Sequence, residues 1–393
     1  MRATSALQPL LIALAFGACS RPPAPVPSPD ADAYAAGRIQ FPAARWAAVD
    51  PSSLGWSAEA LQRVHTHWEG LDSAALMVVH RGVPIVQWGS VAERYTVQSV
   101  RKSLLGALIG CAVADGDLDL DATLAELDVD DSPPALTERE RTATVEDLLR
   151  SRSDVFHSAL YEAGSWKRSK PARGSHAPGS YWYYNNWDFN VLGTLFERSA
   201  GTRIGPAFRD RIAGPVGMED FRPRDVVYLT RRSLSERIMH NDSLYPAYIF
   251  RLSTRDLARF GLLILARGRW GDERILPESW VDASTRGPAI GWLEGDETTR
   301  YGYLWWIYPP DSWLGRRVGA EVWLAQGARG HWLAVVPDLD LVFAHQVATG
   351  GVGLPAQIGR RIFGSPEVGD AELGDLLGEV VAALPERAAA GTR

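Results

Sequence analysis

Strand-forming segments stand at opposite ends of this chain, and that separation limits its fold more than any other feature. Ala74–His80 (AALMVVH) and Val83–Gly89 (VPIVQWG) flank Arg81-Gly82 and read as a hairpin of two apolar strands. The other strand-like runs come near the end: Gly302–Tyr308, Ala320–Gly327, His331–Pro337 and Leu339–Val347. A lone hairpin is marginal in water. The two ends therefore most simply complete one antiparallel sheet with helices packed on it, an α/β (α+β) fold. Residues of about 118–300 form a large, mainly helical insertion between the ends. It includes Thr144–Ser151 and Ser253–Gly268, amphipathic segments with polar starts. Further helices are expected at Ser57–Leu71 with Ser57 as N-cap, from Ser99 onward, and at about 354–363 and 370–385.

The first 18 residues read as a signal peptide of lipoprotein type. One arginine, Arg2, precedes the apolar run Leu10–Phe16, and Gly17-Ala18 lead to Cys19. That run is too short to span a bilayer permanently. The Gly-Ala-Cys sequence resembles a bacterial lipobox, which makes Cys19 the lipidated residue and the membrane a partner through that anchor. Export across the inner membrane to the cell envelope follows, on the periplasmic side or at the outer membrane. Residues 19–40 are rich in Pro and Ala and read as an extended tether. The globular domain then runs over 41–393.

Composition excludes several classes. Net charge is −6, which argues against a nucleic-acid binder. Cys19 and Cys111 are too few for a disulfide framework or zinc site, and the eight histidines are scattered. No metal and no cofactor is expected, and Cys111 reads as a small core residue. No G-x-S-x-G, H-E-x-x-H or P-loop occurs.

Three short stretches carry chemistry. QSVRKSLLGALIG (98–110) places Ser99 and Lys102 on one face of a helical first turn. Alone, the pair reads equally as an N-cap and a solvated charge. As a pair, the amine eases loss of the serine proton, and the helix start favours a developing oxyanion. HAPGSYWYYNNWDFNVLGTLFE (176–197) holds two Tyr-x-Asn registers, Tyr183/Asn185 and Tyr184/Asn186, after a Pro-Gly turn. AQGARGHWLAVVP (325–337) is a hairpin whose glycine-bounded turn can offer a backbone N–H to a substrate carbonyl.

Together these stretches resemble the serine β-lactamase and penicillin-binding-protein superfamily, on its class C and esterase side. The match spans about residues 50–365. Pro-Gly, four residues, Tyr-x-Asn and then Leu-Gly set the register on Tyr184 and Asn186. YGYLWW and Ala-x-Gly-x-x-Gly look like the branch of 6-aminohexanoate-oligomer hydrolases and related esterases. The resemblance implies Ser99 as nucleophile, with Lys102 and Tyr184 sharing its proton. It implies Asn186 holding Lys102 and part of the substrate, and the Ser99 and Ala328 N–H groups as an oxyanion hole. Gly327, Arg329, His331 and Trp182 are candidate substrate contacts.

The departures bear on substrate. Relatives acting on β-lactams or D-Ala-D-Ala termini usually carry Lys-Thr-Gly or His-x-Gly in the third motif. Here it is Ala325-Gln326-Gly327, without cation or hydroxyl. His331 stands where glutamine is common in the look-alike branch, and Asp154 where glycine is usual. The expected function is therefore hydrolysis of a carboxylic ester or amide through an acyl-enzyme on Ser99, with a small-molecule or peptide-like acyl substrate. The alternatives are a D-amino-acid peptidase, a penicillin-binding protein or a class C-type β-lactamase, and, from another class, a non-catalytic envelope lipoprotein scaffold.

Overall fold

The computed structural model describes residues 28–162, 164–238, 240–290, 296–350 and 366–388. Cys19 and the helix expected at 354–363 lie outside them. Twelve strands occur among the described residues: β1 (Ala75–His80), β2 (Val83–Gly89), β3 (Arg94–Thr96), β4 (Val226–Leu229), β5 (Ala247–Ser253), β6 (Arg269–Trp270), β7 (Glu273–Arg274), β8 (Arg300–Tyr301), β9 (Trp306–Tyr308), β10 (Val322–Gly327), β11 (His331–Val336) and β12 (Leu341–Gln346).

The two chain ends meet as expected. Seven strands form one sheet in the order β2-β1-β12-β11-β10-β9-β8, antiparallel throughout. The seam between the ends is β1 against β12, with Val78 opposite Phe343. Every residue of β1, β11 and β12 is buried, the pattern of strands covered on both faces. Helix Thr254–Leu265 lies across β1, β11 and β12. Its start is capped by Ser253, whose side chain accepts from the Asp256 N–H. It sits so close that a Cβ on Gly261 would stand 2.5 Å from Val342 Cγ1. Ser57 caps helix Ala58–Glu69 as expected, and that helix packs on helix Asp370–Ala382.

Two expectations are corrected and one is filled in. Within the mainly helical block at 118–300, β4 and β5 join β3 in a second sheet of order β3-β5-β4. The apolar run AYIFRLS builds its central strand, buried at all but one position. The strand expected over Gly302–Tyr308 is confined to Trp306–Tyr308. The backbone turns first, with the Gly302 N–H donating to Trp305 O at 2.9 Å and Leu304 at φ 63°. A strand could not pass there, because the Leu304 carbonyl accepts from Ser103 Oγ at 2.7 Å and its N–H donates to Leu149 O. Finally, the described part of the segment expected as a tether over 19–40 is not extended throughout. Ala31–Ala35 is a short helix, and Tyr34 is buried with its hydroxyl 2.6 Å from His80 Nδ1 and 2.8 Å from Trp56 Nε1.

Candidate active site

The site begins where β3 leaves the second sheet. The Val97 N–H donates to Phe250 O at 3.1 Å, which anchors the exit. Gln98 follows at φ 50°, a left-handed conformation costly for a side chain of this kind. It is held there by Tyr161, whose hydroxyl donates to Gln98 Oε1 at 2.7 Å. A single 3₁₀ turn, Gln98–Val100, carries Ser99 into helix Arg101–Asp115. Gly327, the last residue of β10, lies directly against this turn. A Cβ there would stand 2.6 Å from Val97 O and 3.1 Å from Gln98 Cβ. Glycine at 327 is therefore a packing requirement, and it sets the next residue, Ala328, beside Ser99.

Tyr184 arrives from the opposite side, just before helix Asn186–Ala200. Ser151 clamps the start of that helix: its hydroxyl donates to Tyr183 O at 2.6 Å and accepts from the Asn185 N–H at 3.0 Å. The Asn185 side chain caps the helix by accepting from the Trp187 N–H. Lys102 sits between Ser99 and Tyr184. Its Nζ is 2.8 Å from Ser99 Oγ and 2.8 Å from the Tyr184 hydroxyl. The three groups form one hydrogen-bonded chain.

Lys102 is buried, and no acid partners it among the described residues. Its Nζ faces the rings of Tyr184 at 4.4 Å and Phe189 at 4.7 Å. Burial pushes its amine well below the usual lysine range, and the neighbouring Arg101 adds to the shift. Burial raises the Tyr184 phenol to about 12, against the opposing effects of Ser99 and Arg101. These opposite shifts both favour the uncharged forms, a neutral amine on Lys102 and a protonated phenol on Tyr184.

Ser99 and Tyr184 open on a cavity of about 500 Å³. Trp166, Trp306, Tyr308 and Trp313 form its walls, and Ala328, Gln326 and Asp370 complete the side facing β10. The Tyr184 ring stacks on Trp306 at 5.5 Å and tilts against Trp166 at 4.9 Å. The Asp370 carboxylate accepts from Gln326 Nε2 at 2.7 Å and Trp332 Nε1 at 3.1 Å. No lysine or arginine lines the cavity among the described residues. Ser99 and Ala328 both border the cavity.

The structure therefore gathers Ser99, Lys102, Tyr184 and Ala328, with Gly327 packed against the Ser99 turn, and sets Asn186, Trp182, Arg329 and His331 apart. Asn186 is buried at the first turn of its helix, yet no hydrogen bond joins it to Lys102. The Phe189 ring lies against Nζ instead. Trp182 does not line the cavity. It is packed against Tyr301 and Trp306, each at 5.6 Å. Arg329 pairs with Glu367 at 3.4 Å in the turn. His331 is fully buried, with Nε2 3.0 Å from Thr349 Oγ1, and burial lowers it to about 3. Cys111 is a buried thiol raised to about 11, as a core residue should be. Tyr308, Trp313 and Asp370 line the cavity but sit in no motif. Only proximity in the folded chain marks them.

A Beta-lactamase family model matches residues 61–352. Among solved structures, a protein assigned as a 6-aminohexanoate-dimer hydrolase from Bacillus anthracis aligns with a TM-score of 0.58. It is 18% identical and covers 89% of each chain. A beta-lactamase from Mycobacterium bovis aligns at 0.54, 20% identical over 82% of this chain and 98% of its own. A D-stereospecific amidohydrolase from Streptomyces sp. aligns at 0.51, 18% identical over 78% and 99%. No curated protein matches the sequence. The family match over most of the chain and the shared fold agree: the protein belongs to the Beta-lactamase family, within the serine β-lactamase and penicillin-binding-protein superfamily.

Proposed function

We propose that the protein hydrolyses a carboxylic ester or an amide through an acyl-enzyme on Ser99. One observation carries the reading: the Ser99–Lys102–Tyr184 chain, its lysine and tyrosine buried, with both links at 2.8 Å and no carboxylate on the lysine. Ser99 Oγ attacks the substrate carbonyl and its proton passes to the neutral Lys102 amine. The Ser99 and Ala328 N–H groups receive the oxyanion. Losing one such donor typically costs ~10²–10³ in rate. The bond to the leaving group then breaks, and Tyr184 supplies the leaving atom's proton while Lys102 replenishes the phenol. Water attacks the acyl-enzyme by the same route in reverse and restores Ser99.

The cavity wall argues against an anionic substrate. Gln326 on β10 holds Asp370 on this wall, and the Asp370 carboxylate repels the carboxylate of a β-lactam or peptide terminus. Ester or amide hydrolysis therefore ranks above β-lactamase or D-peptidase action. Steady-state hydrolysis of p-nitrophenyl butyrate, a butyryl anilide and a chromogenic cephalosporin tests this ranking. Turnover of the ester or anilide should exceed that of the cephalosporin at least 100-fold. Cephalosporin turnover equal to the others would reverse it.

The amino-terminal reading, a cleaved signal with lipid on Cys19, is a second proposal that rests on the sequence alone. Mass spectrometry of the mature amino terminus tests it. A diacylated Cys19 supports it, and an unmodified terminus elsewhere sinks it.

A further inference from the structure

Beside Lys102 stands a second cation to which the proposed acyl transfer assigns no step. Arg101 is fully buried, at 0% exposure. Its Nε and both terminal nitrogens have no hydrogen-bond partner among the described residues. Its guanidinium carbon lies 4.4 Å from the Tyr248 ring and 5.7 Å from the Tyr161 ring. Buried charges are ordinarily paired, because an unpaired one is expensive. A rule broken beside a reactive centre marks a functional constraint.

Two connections lead from Arg101 to the site. The first is electrostatic. A second positive charge on Lys102, next to the Arg101 guanidinium, is disfavoured in this dry interior. The second is mechanical. Tyr161, which faces the guanidinium, donates its hydroxyl to Gln98 Oε1 at 2.7 Å, and Gln98 is the left-handed residue immediately before Ser99.

We propose that Arg101 is a positioning residue of the catalytic centre: its unpaired guanidinium keeps the Lys102 amine free to accept the Ser99 proton and, through Tyr161 and Gln98, holds the turn that presents Ser99. The inference rests on the reading of Lys102 as base. The surrounding groups leave that role to Arg101. From helix Asn186–Ala200, the ring of Phe189 faces Lys102. Asp188 is held by Ser153 and Asn185 and has its carboxyl pushed well above the usual range by burial. The second sheet contributes Tyr248, and β8 contributes Tyr301, both phenols raised by burial. Glu236 reaches the Tyr161 N–H at 3.0 Å. None of these supplies a cation to replace Arg101.

The test is the rate of Ser99 labelling by a fluorophosphonate between pH 5 and 10, in the native protein, Arg101→Met and Arg101→Lys. The native rate should rise through one inflection as Lys102 loses its proton. In Arg101→Met that inflection should move up by one pH unit or more, about tenfold slower labelling below it. Arg101→Lys should keep the native inflection. A uniform slowing in Arg101→Met with an unmoved inflection would reduce Arg101 to a structural residue and overturn the proposal. If Arg101→Met does not fold, Arg101→Gln carries the charge test. Tyr161→Phe removes only the hydroxyl link, so it should slow labelling and leave the inflection in place. Native labelling by Tyr161→Phe would overturn the mechanical half. A native protein that never labels would instead overturn the reading of Ser99 itself.

Discussion

Replacing Gly327 by alanine adds one methyl group at the point where β10 meets the turn that carries Ser99. Its Cβ would stand 2.6 Å from Val97 O, 3.0 Å from His331 Cβ and 3.1 Å from Gln98 Cβ, the first well inside van der Waals contact. Neither side can retreat freely. Val97 is hydrogen-bonded to Phe250, and Gly327 is paired with His331 in the sheet. Overpacking of this kind costs ~1–3 kcal/mol, a fall of several degrees in melting temperature. The larger effect is on chemistry. The methyl separates Ala328 from Ser99, and a displacement of ~1 Å in such an arrangement costs ~10²-fold. The contrast is Gly106→Ala, in the interior of helix Arg101–Asp115, where the added Cβ meets Leu304 Cδ1 at an ordinary 3.5 Å. That change should be neutral or stabilising by ~0.4–1 kcal/mol. Circular-dichroism melting and fluorophosphonate labelling rate read both effects. Native melting and native labelling in Gly327→Ala would refute the packing argument.

Three further outcomes follow from the same geometry. Tyr184→Phe keeps the ring between Trp166 and Trp306, so its melting temperature should hold while ester turnover falls ~10²–10⁴-fold. Lys102→Met should abolish turnover and raise stability at pH 7 by ~1–3 kcal/mol, read by urea denaturation. The sign follows from the lowered amine: between its folded value and ~10.4 the unfolded chain binds the extra proton, so this lysine costs stability at neutral pH. His331, lowered to about 3, works in the same sense at lower pH. As pH falls from 6.5 to 4 the unfolded chain takes up a proton that the folded protein refuses, costing ~3 kcal/mol. Asp154 and Asp256, both raised to about 6, work in the opposite sense over an overlapping range. The difference between His331→Gln and the native protein isolates the histidine: the variant should lose ~3 kcal/mol less over that interval. Parallel stability curves would contradict the assignment.

Much of the fold was legible because its signals are local. The strands β1, β2 and β10 to β12 are continuous apolar runs bounded by turn residues, and Ser57 and Ser253 mark helix starts through their capping side chains. Gly302–Tyr308 has a composition that suits a strand, while tertiary bonds to Ser103 and Leu149 demand a turn. AYIFRLS went unrecognised inside a region dominated by helical signals. At the site, Ser99, Lys102 and Tyr184 were found through motif spacing, and the fold joins them. Asn186 was expected on Lys102 by resemblance, but the Phe189 ring lies there. Arg329 and His331 sit within motif reach, yet a salt bridge and burial turn them away. Asp370 and Trp313 meet the cavity from distant parts of the chain, so no local pattern announces them. Arg101 was in plain view in the first motif. Its meaning rests on what it lacks, a partner, which only the packed structure reveals.

The central claim is that Ser99 is an activated nucleophile. Intact-mass spectrometry after exposure to a fluorophosphonate, on the native domain beside Ser99→Ala, tests it most directly. A single adduct on the native protein and none on the variant is the expected result. A folded native protein without an adduct, or an equal adduct on Ser99→Ala, would contradict it.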